Sequence, residues 1–253
     1  MRKPVLAAVP YYKTHINDYA DQRCLLDVYL PDQWRPNKPT LVFAHGGGLT
    51  ERDRTDDIFI MDTFTKQGIA VVSIGYRLSP QATCPDYIQD AAAAIAWTLD
   101  NIEQHGGNPN NVYAFGHSAG AYLMSMISLD NQYLAAHNHS TQNLAGAIVI
   151  SGQMVTHEIV RREQNISPID VRVDQYAPLF HVAQGNVPFF IAAGKNDMIA
   201  REQENALFAI CRERANKSVE FHAQIDRDHE TIITGIMNDS DPILQAILNF
   251  IDT

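Results

Sequence analysis

The sequence predicts an α/β fold: a doubly wound, mostly parallel sheet with helices on both faces. Three observations carry this. Short, unbroken apolar runs recur along the chain, as strands covered on both faces require. Longer amphipathic runs alternate with them, the pattern of right-handed βαβ crossovers. Glycine, proline or a capping Asp marks several of the junctions. At 253 residues, one domain of this class can bury roughly three quarters of its unfolded surface, so the whole chain is expected to form a single domain.

Taken in order, the apolar runs at 5–9 and 25–30 are expected to add antiparallel strands at one sheet edge. Residues 40–44, with Pro39 before them and glycines after, read as a buried strand. The runs 68–74, 112–115, 145–150 and 188–193 read likewise, whereas 219–225 alternates and suits the other edge. Helix patterns lie between them. Residues 56–67 place Ile58, Phe59 and Phe64 at turn-like spacing. The alanine-rich stretch 86–104 carries Ile88, Ile95, Trp97, Leu99 and Ile102 and is closed by Gly106, Gly107 and Pro109. Further helices are expected at 118–129, 201–215 and 241–251, the last opened by a capping Asp241 before a first-turn Pro242. From 152 to about 184 the pattern loosens around His157, Arg161, Arg162, Pro168 and Pro178. A connection this long is expected to be a lid-like insertion.

Charge and cysteine content narrow the function. A formal charge of −10 argues against a nucleic-acid partner and gives no attraction to anionic membranes. Cys24, Cys84 and Cys211 lie far apart with no CxxC pair or Cys/His zinc spacing, so neither a disulfide framework nor a metal is expected, and no cofactor is implied. The apolar run after Met1-Arg2-Lys3 is too short for a signal segment, and no stretch reaches membrane-helix length. A cytoplasmic protein is expected. Nothing marks its oligomeric state.

Gly116-His117-Ser118-Ala119-Gly120 follows one expected strand and precedes a helix, which is the setting that G-x-S-x-G requires. The turn exposes the serine hydroxyl above the sheet and aims the helix N-terminus at the reaction centre. A serine hydroxyl needs a base to take its proton. His229 follows the strand at 219–225, and Asp197 follows the strand at 188–193. The order Ser118, Asp197, His229 is the one this architecture uses, with all three at carboxyl ends of strands. His222 lies inside a strand, His181, Asp170 and Asp174 in the insertion, and His137 and His139 in a polar segment. Asp226 and Asp228 stand too near His229 to come from a separate strand end.

His45-Gly46-Gly47-Gly48 ends the strand at 40–44. Its bare amides can approach a substrate closely, so the N–H groups of Gly47, Gly48 and Ala119 are the expected oxyanion donors. One such donor is worth roughly 3–4 kcal/mol in the transition state. A phosphate-binding reading lacks both the P-loop Lys-Ser/Thr and a G-x-G-x-x-G. His45 is expected to anchor this loop. Tyr76, Tyr122 and Met124 read as packing residues, and Arg161 and Arg162 as a solvated helix face.

These motifs resemble the α/β-hydrolase superfamily, and within it the HGGG-type esterases: hormone-sensitive-lipase-like, feruloyl-esterase and kynurenine-formamidase-like. Gly75-Tyr76-Arg77-Leu78-Ser79-Pro80 is similar to that group's Y-R-L-x-P segment, and Asp90 and 107–112 also fit. The resemblance spans about 25–251. It implies an α/β-hydrolase fold with Ser118 as nucleophile, His229 as base and Asp197 as its partner. It also implies a small-molecule ester as substrate. The chain departs from the group in having little before its first strand, and Leu49-Thr50-Glu51 lacks the aromatic residue of formamidase-like members. Ester hydrolysis is the expected activity. Hydrolysis of an arylformamide and a non-catalytic ligand-binding role stand as alternatives.

Overall fold

The computed structural model describes residues 2–32, 38–167, 169–224 and 226–252. Among them the chain runs β1 (Leu6–Pro10), α1 (Asp18–Arg23), β2 (Leu25–Tyr29), β3 (Thr40–Ala44), α2 (Ile58–Lys66), β4 (Ala70–Ile74), α3 (Asp86–Asn101) and β5 (Val112–His117). It continues as α4 (Ala119–Leu129), α5 (Gln132–Ala135), β6 (Leu144–Ile150), α6 (Glu158–Glu163), β7 (Phe189–Gly194), α7 (Arg201–Arg214), β8 (Val219–Gln224), α8 (Thr231–Thr234) and α9 (Pro242–Asp252). Ile225, expected to close the last strand, and Pro168 of the insertion lie outside the described residues.

The eight strands form one sheet in the order β1-β2-β4-β3-β5-β6-β7-β8. The β1–β2 and β2–β4 pairs are antiparallel, and every other pair is parallel. This is the expected mixed sheet with its antiparallel edge at the N-terminal strands. Alternation along each strand sorts side chains into two layers. Val42, Ala44, Ala114 and Val149 face α3, α4 and α7, whereas Leu41, Phe43, Phe115 and Ile150 face α2, α8 and α9. Both layers are buried and apolar, which explains why the central strands read as unbroken apolar runs.

The expected cap of α9 is present. Asp241 accepts hydrogen bonds from the backbone N–H of Ile243 (2.9 Å) and Leu244 (3.3 Å), and its other oxygen pairs with Arg227 at 2.5 Å. The four shortest helices, α1, α5, α6 and α8, were not expected. The reading of Arg161 is corrected: its side chain is buried and donates to the carbonyl of Asp170 (2.6 Å), tying the insertion to itself. Only Arg162 lies on a solvated face, paired with Glu158 one turn earlier.

Arg212 of α7 is fully buried and faces carbonyls. It donates to Val182 (3.2 Å), Gln184 (2.8 Å) and Val187 (2.6 Å), and its guanidinium sits 4.8 Å from the Phe189 ring centroid. Burial pushes its pKa down to about 10. Arg212→Leu keeps an apolar stem but strips three carbonyls of their donor, which should cost about 3 kcal/mol or more. A urea denaturation midpoint unchanged from the parent protein would refute this.

Candidate active site

The site begins with a crossing that leaves no room for side chains. A Cβ on Gly120 would stand 2.0 Å from the Ala44 carbonyl oxygen, and one on Gly116 would stand 2.4 Å from the Gly120 carbonyl carbon. Bare glycines let α4 start directly over the ends of β3 and β5. Ser118, between them, takes φ 55° and ψ −118°. This is the strained turn expected of an exposed nucleophile.

The loops after β7 and β8 bring the other two residues to it. Asn196 N–H donates to the Arg227 carbonyl (3.0 Å), and Gly194 leaves no space for a Cβ against that same carbonyl (2.2 Å), so the two loops lie in contact. His229 Nε2 lies 2.8 Å from Ser118 Oγ, and His229 Nδ1 lies 2.6 Å from Asp197 Oδ1. With Asp197 ionised, Nδ1 carries the proton and Nε2 is the acceptor for the serine hydroxyl. Burial would raise the Asp197 carboxyl, but hydrogen bonds from His229, Ser151 and the Met198 N–H outweigh it and hold its pKa below the usual carboxylate value.

A second imidazole supports the first. His117 Nε2–H donates to the His229 carbonyl (2.9 Å), and the two rings stand 4.9 Å apart. Burial, reinforced by His229, pushes the His117 pKa down to about 3, so it holds the loop as a neutral donor.

The glycine loop after β3 is held from below. His45 is buried, stacks on Tyr76 at 4.4 Å, and hydrogen-bonds the Gly46 carbonyl through Nδ1 (2.7 Å). Tyr76 Oη donates to the His45 carbonyl (2.7 Å). Gly47 and Gly48 take φ +100° and +60°, and the Gly47 carbonyl accepts from the N–H groups of Thr50 (3.0 Å) and Glu51 (3.1 Å). Among the described residues, the N–H groups of Gly47 and Gly48 donate to no protein acceptor. The Ala119 N–H opens α4, where the first amides have no intrahelical partner. Beneath the loop, Arg23 ties Asp53 (2.8 Å) to the carbonyls of Arg52 and Tyr76.

The competing candidates go elsewhere. His222 stacks on Phe190 within the sheet, His181 bonds the Gln175 carbonyl, and His139 pairs with Asp100. Asp174 is taken up by Thr156 and the Tyr176 N–H, and Asp228 by the turn at Thr231. Tyr122 donates to the Tyr176 carbonyl (2.8 Å), and Met124 is buried. Sequence reasoning missed His117 and Ser151. The one signal for Ser151 was its position just past β6, beside the strand end that carries Asp197.

Residues 26–210 match the BD-FAE family. The chain is 25% identical over 249 residues to the esterase LipQ of Mycobacterium tuberculosis, covering 90% of this chain and 58% of LipQ. It is 34% identical over 113 residues to the isoprenylcysteine alpha-carbonyl methylesterase ICME of Arabidopsis thaliana, covering 44% of this chain and 26% of ICME. It thus spans little more than half the length of the first of these relatives and about a quarter of the second. Among solved structures, the thermophilic esterase Est2 of Thermogutta terrifontis superposes with a TM-score of 0.74 at 22% identity, covering 89% of this chain and 85% of Est2. The match across 26–210, on a sheet of this order with these strand-end residues, leads to one assignment: the chain belongs to the BD-FAE family of α/β-hydrolase-fold proteins.

Proposed function

We propose that this protein hydrolyses small carboxylic esters through an acyl-enzyme. The observation that carries the reading is the unbroken path from Ser118 Oγ through His229 to Asp197, with links of 2.8 and 2.6 Å, beside a loop of unpaired amides. His229 Nε2 takes the hydroxyl proton as Ser118 Oγ bonds to the substrate carbonyl carbon. The carbonyl oxygen gains the negative charge and is met by the N–H groups of Gly47, Gly48 and Ala119. The C–O bond to the alcohol then breaks, and the alcohol leaves with the proton from His229. Water repeats the sequence on the acyl-enzyme, releasing acid and restoring Ser118. Asp197 keeps the imidazole in its productive tautomer and stabilises the imidazolium.

The relatives support an ester and a small acyl group: LipQ is an esterase, and Est2 has been solved with butyrate and with propionate bound. Residues 152–184 act as a lid-like insertion of the single domain. Support comes from the hydrogen bond of Tyr122, one turn after Ser118, to the Tyr176 carbonyl within that segment.

Two measurements test the reading together. The protein should turn over p-nitrophenyl butyrate faster than N-formylkynurenine. A fluorophosphonate should abolish that turnover with one adduct, mapped by peptide mass to Ser118. Labelling elsewhere, or turnover that persists after complete labelling, would overturn it.

A further inference from the structure

Ser151, directly after β6, is fully buried and takes φ +53°, a left-handed conformation that costs a residue with a Cβ. Its backbone is gripped on every side. The N–H donates to the Ala192 carbonyl (2.8 Å), and its own carbonyl accepts from Arg201 Nη1 (3.0 Å). Nearby groups of α7 hold the next residues: Asn205 donates to the Gly152 carbonyl (2.8 Å), and Glu204 accepts from the Met154 N–H (2.9 Å). So held, the Ser151 hydroxyl donates to Asp197 Oδ2 at 2.5 Å.

The two oxygens of Asp197 are unequally served. Oδ1 receives both His229 Nδ1–H and the Met198 N–H (2.6 Å each), whereas among the described residues Ser151 donates to Oδ2. The carboxylate side chain is 1% exposed, so water does not readily replace a lost donor. Without the hydroxyl, the carboxylate could pivot about its Cβ–Cγ bond and turn away from the imidazole.

We propose that Ser151 is a positioning residue, whose strained backbone aims its hydroxyl at Oδ2 and so keeps Oδ1 on His229. The proposal rests on reading Ser118, His229 and Asp197 as the machinery of an ester hydrolase. A donor on Oδ2 helps most when the carboxylate charge is not offset by an imidazolium. Its removal should therefore raise the proton affinity of the Asp197–His229 pair as a whole. The other titratable and charged groups around the pair include Arg201 behind Ser151 with Glu204 and Glu158 beside it, neutral His117 behind His229, Asp228 on the adjoining loop, and Arg52 beyond His117. None of them changes in the test.

Ser151→Gly and Ser151→Ala both remove the hydroxyl, but only glycine accepts φ +53° without strain. Both should lower kcat for p-nitrophenyl butyrate about tenfold with KM nearly unchanged, and raise the acid limb of kcat/KM by about half to one pH unit. Ser151→Cys, a weaker donor, should fall between them and the parent. Thermal stability should separate glycine from alanine while activity does not. A purely structural role predicts the reverse: Ser151→Gly with parental kcat and acid limb, and that result would overturn the proposal. The His229 imidazole titrated by NMR without substrate supplies an independent reading. An unmoved titration in Ser151→Gly refutes the role of Ser151, whereas an unsubstituted protein inert to esters refutes only the esterase reading.

Discussion

Ser118→Ala should lower kcat for p-nitrophenyl butyrate by roughly 10⁴-fold or more, with the fold intact. The substitution removes a single oxygen and leaves the left-handed turn, the glycine crossing and the amides of Gly47, Gly48 and Ala119 in place. Residual turnover above the uncatalysed rate should remain, because those amides still meet the developing oxyanion. Asp197→Asn should approach the same loss, about 10⁴-fold, by a different route. The amide oxygen would keep the place of Oδ1, where His229 Nδ1–H and the Met198 N–H both donate, but it carries no charge to stabilise the imidazolium that forms as the serine is deprotonated. Because the residues act as a unit, Ser118→Ala with Asp197→Asn should be hardly worse than Ser118→Ala alone. A kcat within tenfold of the parent in Ser118→Ala would dismiss this serine as the nucleophile.

Stability should fall steeply on mild acidification. His45, His117 and His157 are buried, and burial pushes their pKa values down to about 4, 3 and 3. In the unfolded chain each binds a proton near pH 6.5. Their contribution is therefore complete above that pH and is lost as pH falls from 6.5 towards 3–4, at up to about 1.4 kcal/mol per pH unit each. Asp197, whose carboxyl is held low, acts in the same direction at lower pH, whereas Asp57, raised by burial, opposes it. Three histidines together approach about 4 kcal/mol per pH unit, large against a usual total of about 5–15 kcal/mol. Urea midpoints at pH 7 and pH 5 should show the loss. His157 caps α6 by accepting from the Ile159 N–H (3.2 Å), a task asparagine can perform. His157→Asn should thus flatten the acid slope by about a third. An unchanged slope would remove this histidine from the account.

Much of this architecture can be read from local pattern, and the exceptions share a cause. Strands β3 to β7 are buried on both faces, so their apolar runs are dense enough to mark each one within about two residues. Strand β5 runs on to His117 because Gly116 and His117 continue the ladder against β6, although neither looks like a strand residue. The helices of four to six residues were missed because fewer than two turns are too few to display a period. Ser118, Asp197 and His229 were legible because chain order and strand ends restrict them jointly. Ser151, His117 and the buried Arg161 were not. Each is explained by a distant partner or a main-chain oxygen, and neither leaves a trace in residue type. The burial of Arg161 was therefore misread as solvation.

The placement of α7 bears on how this scaffold can be altered. One helix clasps both feet of the long excursion between β6 and β7: Arg201, Glu204 and Asn205 hold its departure at 151–154, and Arg212 holds its return at 182–187. The stretch between those footholds meets the rest of the fold through Glu163, which accepts from Cys84 N–H and Tyr87, and through the Tyr176 carbonyl, which accepts from Tyr122. On the proposed reading, exchanging its interior for that of another family member, with the residues that meet Cys84, Tyr87 and Tyr122 kept, should change acyl preference while the reacting groups stay aligned.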